Sequence, residues 1–349
     1  MNNITSIAVD LAKHKFQVHG YAGPQQEKRF AKTLTRQAFD SLLRELPPCT
    51  VAMEACSSAH FWSRRCEELG HRPLQIPTQF VKPFLIGHKT DPNDTEAIHE
   101  ASLRPSLRPV PVKSVEQQDA MLVHLTRERL KKNRLALTNE IRGVLRERGL
   151  VFSASLKTLR EGVRKLLTQP LSSEFTSSLT AWLTEALSEW AALDQRFARL
   201  ERALKHTFAH SEDCQRLAAV PGVGPLTATA FLARLPEVRH FPSTRHAAAS
   251  LGITPRVDRS GERSHLGAIT KRGDGYLRTL LIHGGRSVVK SILKKHAAGH
   301  PLTSHEQWVL GVYQRRGFNK AAVAVANKNA RIIAALLRDG QAYRTSQTA

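Results

Sequence analysis

The chain has 349 residues, 41% hydrophobic and 23% charged, with 52 lysines and arginines against 30 acids and a formal net charge of +22. That length and apolar content exclude a disordered polymer and leave room for roughly two or three domains with cores of their own. The positive excess requires an anionic partner, and because no apolar run reaches the roughly 18–20 residues that span a bilayer and MNNITSIAVD lacks the regions of a signal peptide, nucleic acid is expected as that partner, no membrane, and the cytoplasm as the location.

Residues 4–12, ITSIAVDLA, read as a buried strand with Asp10 at its end. The segments 15–22, KFQVHGYA, and 28–34, KRFAKTL, alternate as strands do. Helical spacing over 36–46 stops at Pro47 and Pro48, and CTVAMEA, 49–55, is a buried strand ending in Glu54. A second helix over 58–70 closes on a glycine suited to a helix end. RPLQIPT, 72–78, is a fifth short strand. Three strands, helix, strand, helix, strand is the order of a ribonuclease-H-like α/β layer, assigned to residues 1–103.

The basic, proline-rich stretch 104–113, RPSLRPVPVK, reads as an extended linker. It opens a helical middle, 104–210, with one long helix over about 115–149 and another over about 176–207. The first carries Leu122, Leu125, Leu130, Leu137, Ile141 and Leu145. The second carries Leu183, Leu187, Trp190, Leu193, Phe197, Leu200 and Leu204 at nearly heptad spacing. Two readings fit this pattern, an antiparallel coiled-coil hairpin serving as a dimerisation arm or an ordinary bundle face. Residues 211–349 form a mostly helical C-terminal domain broken by glycine-rich turns. Cys49, Cys56, Cys66 and Cys214 form no CxxC pair and match no zinc module, so they read as free thiols.

Four acids stand out. Asp10 and Glu54 end apolar strands, where a charge is expensive unless it is solvated, paired or bound to a cation. Asp91 and Asp94, in KTDPNDTEAI, are three apart and project to one side if a helix starts there. Asp91 could instead be that helix's cap, and Asp94 only a partner of its dipole. As a set, these hard oxygen donors suit Mg²⁺ and phosphodiester chemistry.

In the C-terminal domain, LAAVPGVGPLTATAFLARL, 217–235, is helix-hairpin-helix-like. Gly222 and Gly224 of its PGVG turn could open backbone amides to a DNA phosphate, or simply serve a tight turn. The stretch 251–281 is short of core residues and reads as a basic, glycine-flexible loop in which Arg256, Arg259, Arg263, Lys271, Arg272 and Arg278 can line a phosphate path. Ser260 and Ser264 lie among them, each either a phosphate hydrogen-bonder or a nucleophile. His265 and His283 could carry protons. The final helical stretch, 319–340, sets Asn319, Lys320, Asn327 and Lys328 on polar positions, as a packed helix that also touches nucleic acid would.

VDLAK (9–13), AMEAC (52–56), QFVKPF (79–84), KTDPNDTEAI (89–98), PVKSVEQQ (111–118), PGVG (221–224), LGITPRVDRSG (251–261), ITKRGDGYLR (269–278) and NKNARIIAALL (327–337) follow one another in an order that resembles the recombinases of the IS110 insertion-sequence family, above all its IS1111 subgroup. The resemblance covers nearly the whole chain. It implies a RuvC-like N-terminal domain whose DEDD tetrad falls on Asp10, Glu54, Asp91 and Asp94, a coiled-coil region, and a C-terminal transposase domain whose nucleophilic serine falls on Ser260. Where the family has an S-K-x-G element, this chain has Thr270 and Lys271, a departure that favours Ser260 over position 270. The resemblance further implies Mg²⁺, donor and target DNA, a guide RNA encoded by the element, a homo-oligomer (dimer or tetramer), and a bacterial cytoplasmic, nucleoid-associated protein. The remaining alternatives are a nuclease or junction resolvase that uses water, and a non-catalytic nucleic-acid-binding protein.

Overall fold

The computed structural model describes residues 3–170, 174–234, 241–260 and 263–344, with the side chains of 259–264 outside the description. The chain divides into two compact units, Met1–Glu116 and Gln117–Ala349.

In the first unit the elements are β1 (Ile4–Asp10), β2 (Lys15–Ala22), β3 (Glu27–Thr35), α1 (Arg36–Glu45), β4 (Thr50–Glu54), α2 (Ala59–Glu68), β5 (Arg72–Ile76), the short α3 (Thr78–Val81), a 3-10 turn (Lys82–Phe84) and α4 (Asp91–Ser102). The sheet order is β3-β2-β1-β4-β5. The β1–β2 and β2–β3 pairs are antiparallel, and β1–β4 and β4–β5 are parallel. This mixed sheet is compatible with the expected ribonuclease-H-like layer.

Alternation along β1 sends Ile7 and Val9 to one face and Ala8 to the other. On the first face they pack with Phe16, Phe39, Val51, Met53 and Trp62. Phe16, Phe39 and Trp62 meet edge to face with ring centroids 4.9–5.5 Å apart. The second face is shallower: Ala8 and Ala52 lie under Ala97, Ile98 and Ala101 of α4. Small residues on both sides let this helix approach the sheet closely. His99 stacks flat on Tyr21 with centroids 3.3 Å apart, and burial pushes its pKa down to about 4.

The second unit takes up α5 (Val115–Arg146), α6 (Leu156–Leu166) and α7 (Ser177–Ala209). α5 and α7 run antiparallel, with Arg127 bonded to Glu201 and Arg134 to Asp194. Leu159 and Val163 of α6 join the same core as Leu137, Ile141, Leu183 and Trp190, so three helices share it. Leu122 and Leu125, at the start of the α5 stripe, stay exposed. The proline-rich segment before α5 has no regular structure, and the Val110 amide donates to the Gln75 carbonyl of β5 at 2.8 Å.

The remaining elements are α8 (Glu212–Ala218), α9 (Pro225–Arg234), α10 (Thr244–Ser250), the hairpin β6 (Pro255–Ser260) and β7 (Arg263–Ile269), α11 (Gly275–Ala297), α12 (Ser304–Arg316) and α13 (Phe318–Asp339). The expectation of a flexible loop over 251–281 is corrected: most of it is a two-stranded hairpin followed by the start of α11. Its core residues, Leu251, Ile253, Leu277 and Leu281, lie at its two ends, while the hairpin between them leaves its paired Val257 and Leu266 51% and 65% exposed.

Two glycines close the hairpin's root. Gly252 and Gly273 have φ of +67° and +81°, and a Cβ on either would lie 2.1 Å from the Arg272 carbonyl oxygen or 1.7 Å from that of Ser250. The Lys271 amide donates to the Gly252 carbonyl at 3.1 Å, and that of Thr270 to the Thr254 carbonyl at 2.9 Å. The root is therefore a clasp of backbone on backbone.

Another close approach organises the helices. A Cβ on Gly284 of α11 would meet the Gly222 carbonyl oxygen at 1.9 Å, and one on Gly285 the Ala322 carbonyl oxygen of α13 at 2.3 Å. Helix propensity alone favours Ala over Gly by about 1 kcal/mol, whereas overpacking against backbone costs about 1–3 kcal/mol. Gly284→Ala is therefore expected to lower the urea midpoint of the second unit. Gly143→Ala in α5, where an added Cβ meets nothing within 4 Å, is expected to raise it.

Candidate active site

Two adjacent parallel strands, β1 and β4, end together. Val9 pairs with Met53, so the next residues, Asp10 and Glu54, emerge side by side at the strands' carboxyl ends. In open α/β sheets this is where ligands bind. α4 brings Asp91 and Asp94 to the same edge in its first turn. Thr90, not Asp91, caps that helix: the Asn93 amide donates to its hydroxyl at 3.5 Å. The capping role considered for Asp91 is thereby taken by its neighbour, and the Asp91 carboxylate stays exposed.

All four acids line one cavity of about 680 Å³, together with Lys82 and Lys89. Burial pushes the Asp10 pKa up to about 6, with further increases from Asp94, Asp91 and Glu54 and a smaller opposing effect of Lys89. Asp94 is also raised, first by burial, with Lys89 opposing and Glu54 and Asp91 adding to the rise. The four charges thus feel one another across the cavity with incomplete compensation. Among the described residues no group of three or more His, Cys, Asp or Glu is drawn together tightly enough to hold a metal ion as it stands. The acids rim the cavity instead of converging on a point. The fit to a divalent cation is one of charge and donor type: four hard oxygen ligands whose repulsion a cation would relieve.

Lys82 and Lys89 were not singled out from the sequence as site residues. Their signal lay in QFVKPF and KTDPND, where a lysine sits beside the acids' own segment. Both can meet an anionic substrate at the cavity rim.

The raised Asp10 pKa has a sign that can be tested. Above about pH 6 the folded protein holds a carboxylate that the unfolded chain, with the ordinary value of 3.8, solvates better. This penalty disappears as pH falls from 6 toward 3.8, where the folded state binds the extra proton more tightly. Asp10→Asn in chelator-treated buffer is therefore expected to be more stable than the parent at pH 7.5, with the gap narrowing toward pH 4.5. Measuring the difference cancels the opposing effect of His60, His99 and His124, which burial pushes down to about 4 and which lose stability over the same fall in pH. A gap that is constant with pH would contradict the shared charge.

In the second unit, Ser260 is the last residue of β6, its backbone paired with Arg263 across the hairpin. Its side chain, and those of Arg259, Arg263 and Ser264, lie outside the described residues. Arg256, Lys271 and Arg272 are exposed along the hairpin and its root. Arg278 is more committed: its guanidinium donates to the Leu251 carbonyl at 2.9 Å and to that of Arg272 at 3.4 Å, tying the start of α11 to the clasp. Asp274 caps α11 by accepting from the Tyr276 and Leu277 amides and pairs with Arg234 at 2.5 Å. His265 and His283 are exposed.

The PGVG turn joins α8 to α9. Gly222 has φ +85° and lies against Gly284, so both its conformation and its packing require glycine. At Gly224 an added Cβ would meet nothing within 4 Å, and its carbonyl accepts from Ala228 in the first turn of α9. Pro225, the first residue of that helix, is exposed.

The family model described as Transposase IS116/IS110/IS902 family matches residues 214–298, which span the PGVG turn, the hairpin and α11. A Pseudomonas aeruginosa protein named "Probable family 20 transposase" is 44% identical over 98% of this chain and 99% of its own. The transposase for insertion sequence element IS1111A of Coxiella burnetii is 37% identical over 99% of this chain and 92% of its own. The transposase for insertion sequence element IS1328 of Yersinia enterocolitica is 34% identical over 98% and 99%.

Proposed function

The chain belongs to the IS116/IS110/IS902 transposase family, and on that premise we propose that it cleaves and rejoins DNA through a phosphoserine on Ser260, with Mg²⁺ held by Asp10, Glu54, Asp91 and Asp94. The observation that carries this reading is the single cavity that all four acids line, with Asp10 pushed up to about 6 by burial and by the other three. When bound, the cation would neutralise charge on the scissile phosphate.

The chain's own groups do the rest. Ser260 Oγ attacks phosphorus, an O–P bond forms, and the bond from phosphorus to the adjoining nucleotide's oxygen breaks. The serine loses its proton and the departing oxygen gains one, which leaves a free hydroxyl on that DNA end. In the exchange step a DNA hydroxyl attacks the phosphoserine and restores the serine. Because the ester conserves the energy of the phosphodiester, no ATP is consumed. Arg256, Arg259, Arg263, Lys271 and Arg272 compensate backbone phosphates along the hairpin, and Lys82 and Lys89 do so at the acids' cavity.

We assign sequence choice to base pairing with an element-encoded RNA, so that the net charge of +22 serves RNA and DNA backbones together. The acting form is taken to be a homo-oligomer. Among the described residues no helix is long and apolar enough to cross a membrane.

The test is to incubate the protein with element-end DNA and Mg²⁺, denature, and look for protein–DNA adducts. Nuclease-sensitive RNA in the purified protein tests the guide. One observation favours a second reading: the tetrad is complete within the first unit without Ser260, as a nuclease using water would need. Cleavage without any adduct would select that reading.

A further inference from the structure

The second unit contains a cavity of about 770 Å³ between the root of the β6–β7 hairpin and one face of α13. Pro255 and Ile269, paired with each other across the hairpin, form one wall. Lys320, Lys328 and Arg331 of α13 and Trp308 of α12 line the rest, above an apolar floor that includes Ile332.

The charges here are of one sign. No aspartate or glutamate lines the cavity, and no ion pair joins a carboxylate to any of the three cations among the described residues. Lys320 and Arg331 are exposed. Lys328 is held more firmly: its Nζ lies 4.6 Å from the Trp308 ring centroid and 3.0 Å from His305 Nδ1. The His305 ring is itself stacked on Trp308. Burial and the neighbouring Arg331 charge hold the Lys328 pKa below its ordinary value, as expected where positive charge gathers without a counter-charge. Trp308 remains 37% exposed, a large amount for an indole packed between helices.

Positive rim, aromatic wall and apolar floor are together the chemistry of a nucleotide: phosphate for the cations, base for the ring and the floor. The volume is within the range of about 300–1,000 Å³ usual for small-ligand sites. A duplex could offer phosphates to the rim, but its stacked bases could not enter a recess; an unpaired nucleotide can. The Lys320–Lys328–Arg331 stripe is also the part of the C-terminal helix for which the proposed chemistry has no use.

We propose that this cavity takes an unpaired nucleotide of a DNA strand, its base against Trp308 and Ile332 and the two phosphates that flank it at Lys320 and at Arg331, which stand about 16 Å apart along α13. The assignment to DNA rests on the reading of Ser260 as the nucleophile, because the cavity's wall is the root of the hairpin that carries this serine. Pro255 and Ser260 are five residues apart on one strand, about 17 Å at strand rise. At about 3.4 Å per nucleotide, the anchored nucleotide falls within about five nucleotides of the phosphate that is cut.

The experiment is fluorescence anisotropy of full-length protein with a labelled single-stranded element-end oligonucleotide, the same sequence as duplex DNA, and the same sequence as RNA, at fixed salt. Trp308→Ala is expected to weaken single-stranded DNA binding by about 5- to 100-fold, the loss of one base–aromatic contact, with the duplex unaffected and Trp308→Phe near the parent. Lys320→Gln/Arg331→Gln, both changes at exposed positions, is expected to lower the salt slope on single strands by about 1.4. This double variant tests the site even if Trp308→Ala misfolds.

Unchanged single-strand affinity in both variants overturns the proposal. An equal loss on duplex DNA shows a general basic surface and also overturns it, and a loss on RNA alone moves the site to RNA and overturns the DNA assignment. Ser260→Ala is expected to bind the single strand as the parent does, so failure of the pocket and failure of the serine chemistry are read separately.

Discussion

Ser260→Ala is expected to abolish the denaturation-resistant protein–DNA adduct and the strand exchange that follows, with loss beyond about 10⁴-fold, as when a covalent nucleophile is removed. DNA affinity and thermal stability are expected to stay at parent level, because the register of β6 is set by backbone pairing. Ser264→Ala is the control. Ser264 pairs with Arg259 on the opposite strand, one step from the Ser260–Arg263 pair, so a serine one pair away on the same hairpin is the one removed. Adduct formation is expected to survive the loss of Ser264 and not that of Ser260. The reverse result would move the nucleophile, and an adduct in both variants would remove serine chemistry from the hairpin.

The second large effect concerns the acids. Asp10→Asn and Glu54→Gln are each expected to reduce Mg²⁺-dependent cleavage at least about 100-fold, more than the loss seen when only a supporting partner of a metal ligand is removed. Neither should destabilise the metal-free protein, since each removes a charge from a cavity where the charges repel. Lower activity without lower stability separates a metal cluster from a structural one, in which losing an acid weakens the fold. Asp91→Asn belongs to the same series. Because Thr90 caps α4, an activity loss there is a loss of charge and not of the helix start.

The first unit was legible because β2 and β3 alternate and β1 and β4 are apolar runs closed by punctuation: Pro47 and Pro48, and the acids at the ends of ITSIAVD and TVAME. Burial on both faces makes such runs continuous, and an acid at their end is visible without knowing the sheet. The sequence leaves open whether Asp91 caps α4, which local spacing cannot resolve when Thr90 and Asp91 are both good caps. The hairpin was read as loop because its described side chains, 255–258 and 265–269, bury almost nothing, so no hydrophobic period marks them. The clasp of Gly252 on Gly273 and the approach of Gly222 to Gly284 are contacts between segments distant in sequence, and no periodicity encodes them. Arg278, read as a phosphate ligand from composition, also donates from Nη1 to two backbone carbonyls, a tie that no local pattern encodes.

A ribbon of two strands, rooted by a glycine clasp and exposing Val257 and Leu266 to solvent, is marginally stable by itself. Its described strands therefore gain support from whatever lies along them, whether nucleic acid or another protein surface. On the proposed serine chemistry, such an arm would act as a safety catch for a chromosome that hosts this gene. The attacking oxygen would be trained on a phosphate only inside a completed assembly, so stray copies of the protein would leave DNA uncut.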